Sequence, residues 1–276
     1  MNKVFDGKKS ALYFEKSLSH YFSKLDKSPT LGIIQVGDDR LSNIFINEKI
    51  KFAKKIGVNI NLKKFSEGFK GLDKEIIIFN KDPNISAFLL QLPLVGIKNS
   101  KMFLEKIVPT KDIDCLVSTN YSKALMGDSI ITPGVFTAFR YIFEKLNIPK
   151  DSHILIIGGG FVGKLILNYL SDRKFNVTIV DKFVSQISEY SKSSDVIISS
   201  ANVSSIVSRK DVKDGGYFIN IGAASNFDGK IMGGITDDVI DKAKFFVPSI
   251  GGIGPLTVAM LFYNLKSIID AKTIVK

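Results

Sequence analysis

The chain has a single cysteine, Cys115, and two histidines, His20 and His153, in 276 residues. One cysteine excludes an internal disulfide and fits a reducing compartment. So few soft ligands argue against a zinc or iron cluster. Long apolar runs are missing as well: none approaches the roughly 20 residues that cross a bilayer. The opening Met1-Asn2-Lys3-Val4-Phe5-Asp6-Gly7-Lys8-Lys9 has neither the apolar core nor the cleavage pattern of a secretory signal, so a cytoplasmic protein with no membrane partner is expected. Also absent are an arginine-rich arm and any recognisable nucleic-acid module. The formal charge of +11 comes from lysines spread along the chain, with short clusters such as Lys49, Lys51, Lys54 and Lys55. That pattern reads as a solvated surface, or as a field that attracts small anions, with no nucleic-acid partner expected.

What the sequence does contain is an ordinary globular balance, 45% apolar and 24% charged, and enough length for two domains. Its clearest motif is Ile156-Ile157-Gly158-Gly159-Gly160-Phe161-Val162-Gly163, a Gly-x-Gly-x-x-Gly run between an apolar strand and an amphipathic stretch. In a dinucleotide site the first glycine turns the chain tightly, the second lets backbone approach a pyrophosphate, and the third lets helix and strand pack closely. The phosphates would lie on the amides of the helix N-terminus. About twenty residues on, a strand ends at Asp181, which can accept hydrogen bonds from an adenosine ribose. The expected cofactor-binding set is Gly158, Gly159, Gly160, Phe161, Val162, Gly163, Asp181 and Lys182, with Gly222 after the strand ending at Ile221. The alternative is a glycine-rich turn with no ligand and a surface aspartate.

Strand and helix signals alternate through both halves. The second half offers strands at Ile154 to Ile157, Asn176 to Val180, Asp195 to Ser199, Tyr217 to Ile221 and Lys244 to Val247, with a helix after Gly163 and another over Val184 to Lys192. The first half offers strands at Thr30 to Val36, Val58 to Phe65 and Ile85 to Leu90. Its helices are expected at Ser10 to Leu25, Leu41 to Ile56, Leu72 to Asn80 and Ser100 to Ile107. A connecting helix is expected over Thr132 to Leu146 and a last one over Leu256 to Ala271. The fold class is therefore α/β in two domains: residues 1–121 completed by a C-terminal segment, 254–276, that packs back on them, and a Rossmann-type, doubly wound parallel sheet over 122–253.

Ligands of open α/β sheets bind beyond the carboxyl ends of strands, and three such places in the first domain hold reactive side chains. After the first strand, Phe45 and Lys49 share a helix face, with Phe52 one turn further. They could stack a flat heterocycle beside an ammonium group, although spacing alone favours a core phenylalanine with a lysine running past it. Gln91, before Leu92-Pro93, could face a ligand or merely satisfy loop backbone. Asp112 and Asp114 could divide between holding a loop and facing a ligand; for either alone, loop capping is the commoner fate.

In order along the chain, Phe5-Asp6-Gly7-Lys8, Val36-Gly37-Asp38-Asp39 with Ser42, Phe45 and Lys49, Gln91-Leu92-Pro93-Leu94, Lys111-Asp112-Ile113-Asp114, Thr132-Pro133 and Val247-Pro248 with Gly251-Gly252-Ile253-Gly254-Pro255-Leu256-Thr257 resemble the bifunctional methylenetetrahydrofolate dehydrogenase/methenyltetrahydrofolate cyclohydrolase family, the FolD type. The resemblance implies a folate-binding domain and a Rossmann domain with a cleft between them. It implies oxidation of methylenetetrahydrofolate with NAD or NADP, then hydrolysis of the methenyl product, in one-carbon metabolism and purine biosynthesis. On this resemblance Lys49 is the central catalytic residue, Gln91 supports it and Asp114 binds the pterin. Ser42, Phe45, Gly251, Gly252, Pro255 and Thr257 are implied substrate contacts, and a homodimer is implied. The bland readings of Lys49 and Gln91 give way to these.

The chain departs from the family at several points. Phe45 stands where the family has tyrosine, so stacking is kept and a hydroxyl near Lys49 is lost. Cys115 replaces a glycine, and Ile130-Ile131 replace proline-cysteine. The family's Gly-Arg-Ser loop is here the shorter Gly158-Gly159-Gly160-Phe161-Val162-Gly163. Losing arginine and serine, and gaining Asp181, favours a free ribose hydroxyl over a ribose phosphate, hence NAD over NADP. Lys182 could soften that repulsion. Alternatives are a dehydrogenase-only folate enzyme, another two-domain nicotinamide dehydrogenase, and a basic nucleic-acid-binding protein.

Overall fold

The computed structural model describes residues 3–225 and 230–274. Val275 and Lys276, at the end of the expected C-terminal segment, lie outside them. The elements run α1 (Gly7–Phe22), β1 (Thr30–Val36), α2 (Arg40–Ile56), β2 (Asn59–Phe65), α3 (Leu72–Lys81), β3 (Ile85–Gln91), α4 (Ser100–Leu104), α5 (Ser118–Met126), α6 (Gly134–Phe143), β4 (His153–Ile157), α7 (Phe161–Asp172), β5 (Asn176–Val180), α8 (Ile187–Ser193), β6 (Val196–Ser199), β7 (Gly216–Asn220), β8 (Ala223–Ser225), β9 (Ile231–Gly233), β10 (Ala243–Val247) and α9 (Ile253–Ile274). Two compact units result: residues 11–134 with 258–276, and residues 1–10 with 135–257. The expected divisions were 121/122 and 253/254. In this division the first ten residues join the second unit, because Val4 bridges Phe246 in parallel and Phe5 N–H donates to the Phe246 carbonyl at 2.8 Å.

The three-stranded unit is a parallel sheet in the order β2-β1-β3. Its central strand is buried after Thr30, as a parallel strand covered on both faces must be. Ile34, Val36, Ile76, Phe79, Phe88 and Leu90 form one core cluster. The end of α9 belongs to this unit: Phe262 stacks on Phe52 at 5.4 Å, and Asn264 Nδ2 donates to the carbonyls of Ile113 and Thr132.

The five-stranded unit is parallel in the order β10-β7-β6-β4-β5, with a separate β8-β9 hairpin. Leu155, Ile157, Ile197, Phe218 and Phe246 fill one side of its core. Strand order reverses between β4 and β6 in this unit, and between β1 and β3 in the other. Those reversals are where an open α/β sheet leaves a crevice for ligand.

Several boundaries differ from expectation for local reasons. The α8 helix starts at Ile187 and not at Val184, because residues 181–184 turn, with Val184 N–H on the Asp181 carbonyl. α4 stops at Leu104, where hydrogen bonds tighten to i,i+3 at Lys106 and Ile107. The α6 helix begins after Pro133 and ends at Phe143. α1 begins at Gly7, three residues early, with the Asp6 carboxylate accepting from Lys9 N–H. α5 and the β8-β9 hairpin were not expected.

Candidate active site

The three-stranded unit assembles its polar cluster on the start of α2 and the end of β3. The Asp39 carboxylate caps α2 by accepting from Ser42 N–H at 2.7 Å, and Gly57, at φ 77°, closes the helix in the left-handed conformation that glycine adopts freely. A second tether runs from β1: Gln35 Nε2 donates to Asn43 Oδ1 and Asn43 Nδ2 to Asp38 Oδ1. The helix so fixed carries Phe45 and Lys49, both half-buried, one turn apart on one face.

Lys49 Nζ donates to Gln91 Oε1 at 2.8 Å. Gln91 Nε2 in turn donates to the Leu92 carbonyl at 3.0 Å, so its oxygen is the atom left to face the lysine. The loop-backbone reading of Gln91 is thus seen in its nitrogen, while its oxygen accepts from Lys49. Ser42, an expected substrate contact, is 2% exposed, and its Oγ donates to the same Leu92 carbonyl at 3.1 Å. It fastens the β3 end to α2. Phe52, by contrast, is core.

The two aspartates divide their work. Asp112 holds the loop, accepting from the N–H groups of Leu116 and Val117 and from Asn120 Nδ2. Asp114 is the charge beside Lys49. Burial holds the Lys49 ammonium below the ordinary lysine range, and the Asp114 carboxylate partly opposes that. Burial pushes the Asp114 carboxyl up, against the attraction of Lys49 and with the repulsion of Asp112. Cys115 follows at φ 58°, a left-handed position that explains why glycine would serve there. Its thiol is buried and pushed up to about 12, by burial first and then by the two aspartates.

The five-stranded unit assembles a site from backbone. Gly158, at φ 110°, leaves β4 in a conformation closed to side chains, and its N–H donates to the Val180 carbonyl. A Cβ on Gly163 would lie 2.0 Å from the Gly158 carbonyl oxygen, and one on Gly222 would lie 2.1 Å from the Ala201 oxygen. These two glycines therefore permit close packing. Around Gly159 and Gly160 a Cβ would meet nothing within 4 Å. Gly160 precedes α7 without a side-chain cap, so the Gly159 and Gly160 amides are open to an anion, while Phe161 and Val162 form the half-buried first turn. Asp181, exposed just past β5, accepts from Phe183 N–H at 3.1 Å. Lys182 is drawn onto the Phe183 ring, 4.9 Å from its centroid.

The remaining expected contacts lie in this unit as well. Gly7 N–H donates to the Gly251 carbonyl, and a Cβ on Gly7 would clash with the Gly252 oxygen at 1.6 Å. The N-terminal motif is thus seated on the Gly251-Gly252 turn. Pro255 occupies the first turn of α9, where a missing N–H costs nothing. Thr257 Oγ1 back-bonds to the Ile253 carbonyl at 3.0 Å. Among the described residues no group of histidine, cysteine, aspartate or glutamate could hold a metal, and no helix is long and apolar enough to cross a membrane.

A dinucleotide-type glycine loop in one unit and a buried lysine–glutamine–aspartate group in the other define a two-domain nicotinamide-dependent enzyme. Residues 5–114 match the family model for the tetrahydrofolate dehydrogenase/cyclohydrolase catalytic domain, and residues 133–273 that for its NAD(P)-binding domain. The chain belongs to the tetrahydrofolate dehydrogenase/cyclohydrolase family. Bifunctional protein FolD 2 of Lactobacillus johnsonii is 32% identical over 270 residues, 95% of either chain, and the Bacillus subtilis bifunctional protein FolD is 29% identical over 269 residues, again 95% of both. In fold, the chain is similar to the Trypanosoma brucei methylenetetrahydrofolate dehydrogenase-cyclohydrolase solved with NADP and inhibitor, with a TM-score of 0.90, 24% identity and 98% of both chains covered.

Proposed function

We propose that this chain oxidises methylenetetrahydrofolate with a nicotinamide dinucleotide and hydrolyses the methenyl product to formyltetrahydrofolate, using Lys49, Gln91 and Asp114 in the chemistry and preferring NAD to NADP. Family membership makes it a folate oxidoreductase and hydrolase of one-carbon metabolism with an NAD(P)-binding domain. The assignment of residues is carried by one observation: the buried Lys49 Nζ lies 2.8 Å from Gln91 Oε1, with Asp114 as its neighbouring charge.

The dinucleotide, when bound, accepts hydride from the one-carbon unit. The protein's part in that step is positioning, since no strong acid or base is required. The Phe45 ring offers a flat apolar face for the pterin, and the glycine loop offers amides to phosphate. Hydrolysis asks more of the side chains. Water oxygen bonds to the methenyl carbon; of its two protons, one leaves to Lys49 and the other ends on the ring nitrogen whose bond to that carbon breaks. Lys49 suits this because burial favours its neutral amine, and donating one N–H to Gln91 aims its lone pair elsewhere.

Asp181 supports the NAD preference: an exposed carboxylate accepts from a ribose hydroxyl and repels a ribose phosphate. Lys182 has its ammonium over the Phe183 ring. The homodimer and the cytoplasmic location belong to the same proposal; light scattering on the purified protein reads the first and cell fractionation the second.

The test is an absorbance assay with methylenetetrahydrofolate and either NAD or NADP, together with decay of added methenyltetrahydrofolate. Expected are cofactor reduction, faster with NAD, and accelerated methenyl decay. Faster reduction with NADP would reject the cofactor preference, and reduction without accelerated decay would reject the hydrolytic role of Lys49.

A further inference from the structure

The five-stranded sheet reverses direction between β4 and β6, so a ligand crevice opens between the loops that leave these two strands. The β4 loop is the glycine turn. The first residue beyond β6 is Ser200, which belongs to no motif recognised in the sequence. Its Oγ donates to the Gly158 carbonyl at 2.8 Å and lies 3.2 Å from the Ile157 carbonyl. Ser200 is itself held: its N–H and that of Ala201 both donate to the Ile157 carbonyl, and Gly222 packs against the Ser200–Ala201 backbone from behind. A Cβ on Gly163 would lie 2.0 Å from the same Gly158 oxygen and 3.0 Å from Ser200 Oγ, so the missing side chain leaves room for this hydrogen bond.

A trans peptide is planar, with its C=O and N–H antiparallel. Among the described residues the only cis peptide is Leu92–Pro93. Turning the Gly158 oxygen toward Ser200 therefore turns the Gly159 N–H away from it, in the part of the loop where a Cβ on Gly159 or Gly160 would meet nothing within 4 Å. Neither of those two amides has a protein acceptor among the described residues. A carbonyl facing an anion repels it, whereas an amide attracts it, so the orientation of this one peptide decides whether the loop welcomes a phosphate.

We propose that Ser200 is a positioning residue that locks the Gly158–Gly159 peptide with its N–H toward the pyrophosphate of the bound dinucleotide. The inference rests on the reading of the glycine loop as the cofactor site. It assigns Gly222 a part in the same device, as the gap that lets the Ser200 backbone sit close, with no direct contact to cofactor required.

The experiment is a fluorescence titration with NADH of the wild-type chain, Ser200→Ala and Ser200→Thr, each first shown folded by its cofactor-free thermal transition. Expected is about tenfold weaker binding for Ser200→Ala, the scale of one hydrogen bond, and near wild-type binding for Ser200→Thr, which keeps the hydroxyl. Unchanged affinity in Ser200→Ala overturns the inference. A second measurement needs no variant: in the ¹⁵N-labelled wild-type protein the Gly159 amide resonance moves downfield on adding ADP, and a stationary Gly159 signal in the presence of bound ADP overturns it equally. A wild-type chain that binds neither NADH nor NADPH would defeat the cofactor reading and this inference together, a result distinct from intact binding that ignores Ser200.

Discussion

The three-stranded and five-stranded units both place their functional groups at a strand reversal, yet they build them from opposite materials. At the β1/β3 reversal the proposed working atoms are side chains whose charge is altered by burial: Lys49 is held low, Asp114 high, and Gln91 is fixed between Lys49 and the Leu92 carbonyl. At the β4/β6 reversal the proposed working atoms are backbone amides, and side chains matter chiefly by being absent, as at Gly158 and Gly163. Proton chemistry needs a group of tuned basicity, which only a side chain can supply. Holding a phosphate needs converging donors and close approach, which backbone supplies best when no Cβ intervenes.

Removing the side-chain chemistry should have the largest effect. Lys49→Met is expected to slow methenyltetrahydrofolate hydrolysis by about 10²–10⁴-fold, the usual range for a general base; a loss of less than tenfold in that assay would remove Lys49 from the step. Gly163→Ala comes next, because its methyl would sit 2.0 Å from the Gly158 oxygen, whereas Gly159→Ala meets nothing. Calorimetric titration with NAD should show at least a tenfold loss for the first and less than a threefold loss for the second. Equal losses would contradict the division between packing glycines and open ones.

Smaller effects sharpen the comparison. Asp181→Ser should shift the ratio of kcat/KM values toward NADP by about tenfold through relief of charge repulsion, and an unmoved ratio would separate Asp181 from cofactor choice. Asp114→Asn removes a carboxylate that favours the Lys49 ammonium, so the lysine falls further and the rising limb of the hydrolysis–pH profile moves to lower pH; movement to higher pH would reverse the assigned coupling. Last, a thiol-specific reagent should leave native Cys115 untouched and label it once the chain is unfolded in guanidinium, since the thiol is buried and pushed up to about 12.

How far the sequence foretold all this depended on how local each feature is. The strands Thr30–Val36 and Asn176–Val180 coincide with expectation because apolar β-branched runs bounded by turn residues announce themselves. The α5 helix, Ser-Thr-Asn-Tyr-Ser-Lys-Ala-Leu-Met, has too few apolar positions to show a period, and it is stabilised by what surrounds Asn120 and Ala124. The pairing of Lys49 with Gln91 spans 42 residues, and spacing within α2 alone pointed to a core phenylalanine with a lysine running past it; only the ordered resemblance suggested a role for the lysine. Ser42 was expected as a substrate contact and Gly222 as a cofactor contact; their observed contacts are with backbone of other loops. Ser200 left no trace in any motif, because its partner, Gly158, lies 42 residues away and its effect is the direction of a peptide plane.

Whether a half-buried lysine with a lowered pKa drives hydrolysis independently of the glycine loop is read from the pH dependence of methenyltetrahydrofolate decay without any dinucleotide. Spontaneous decay is subtracted, and wild type is compared with Lys49→Met. A wild-type rate that rises with pH well below the ordinary lysine range, and a limb that vanishes in Lys49→Met, is the predicted result. An identical limb in both proteins would contradict it.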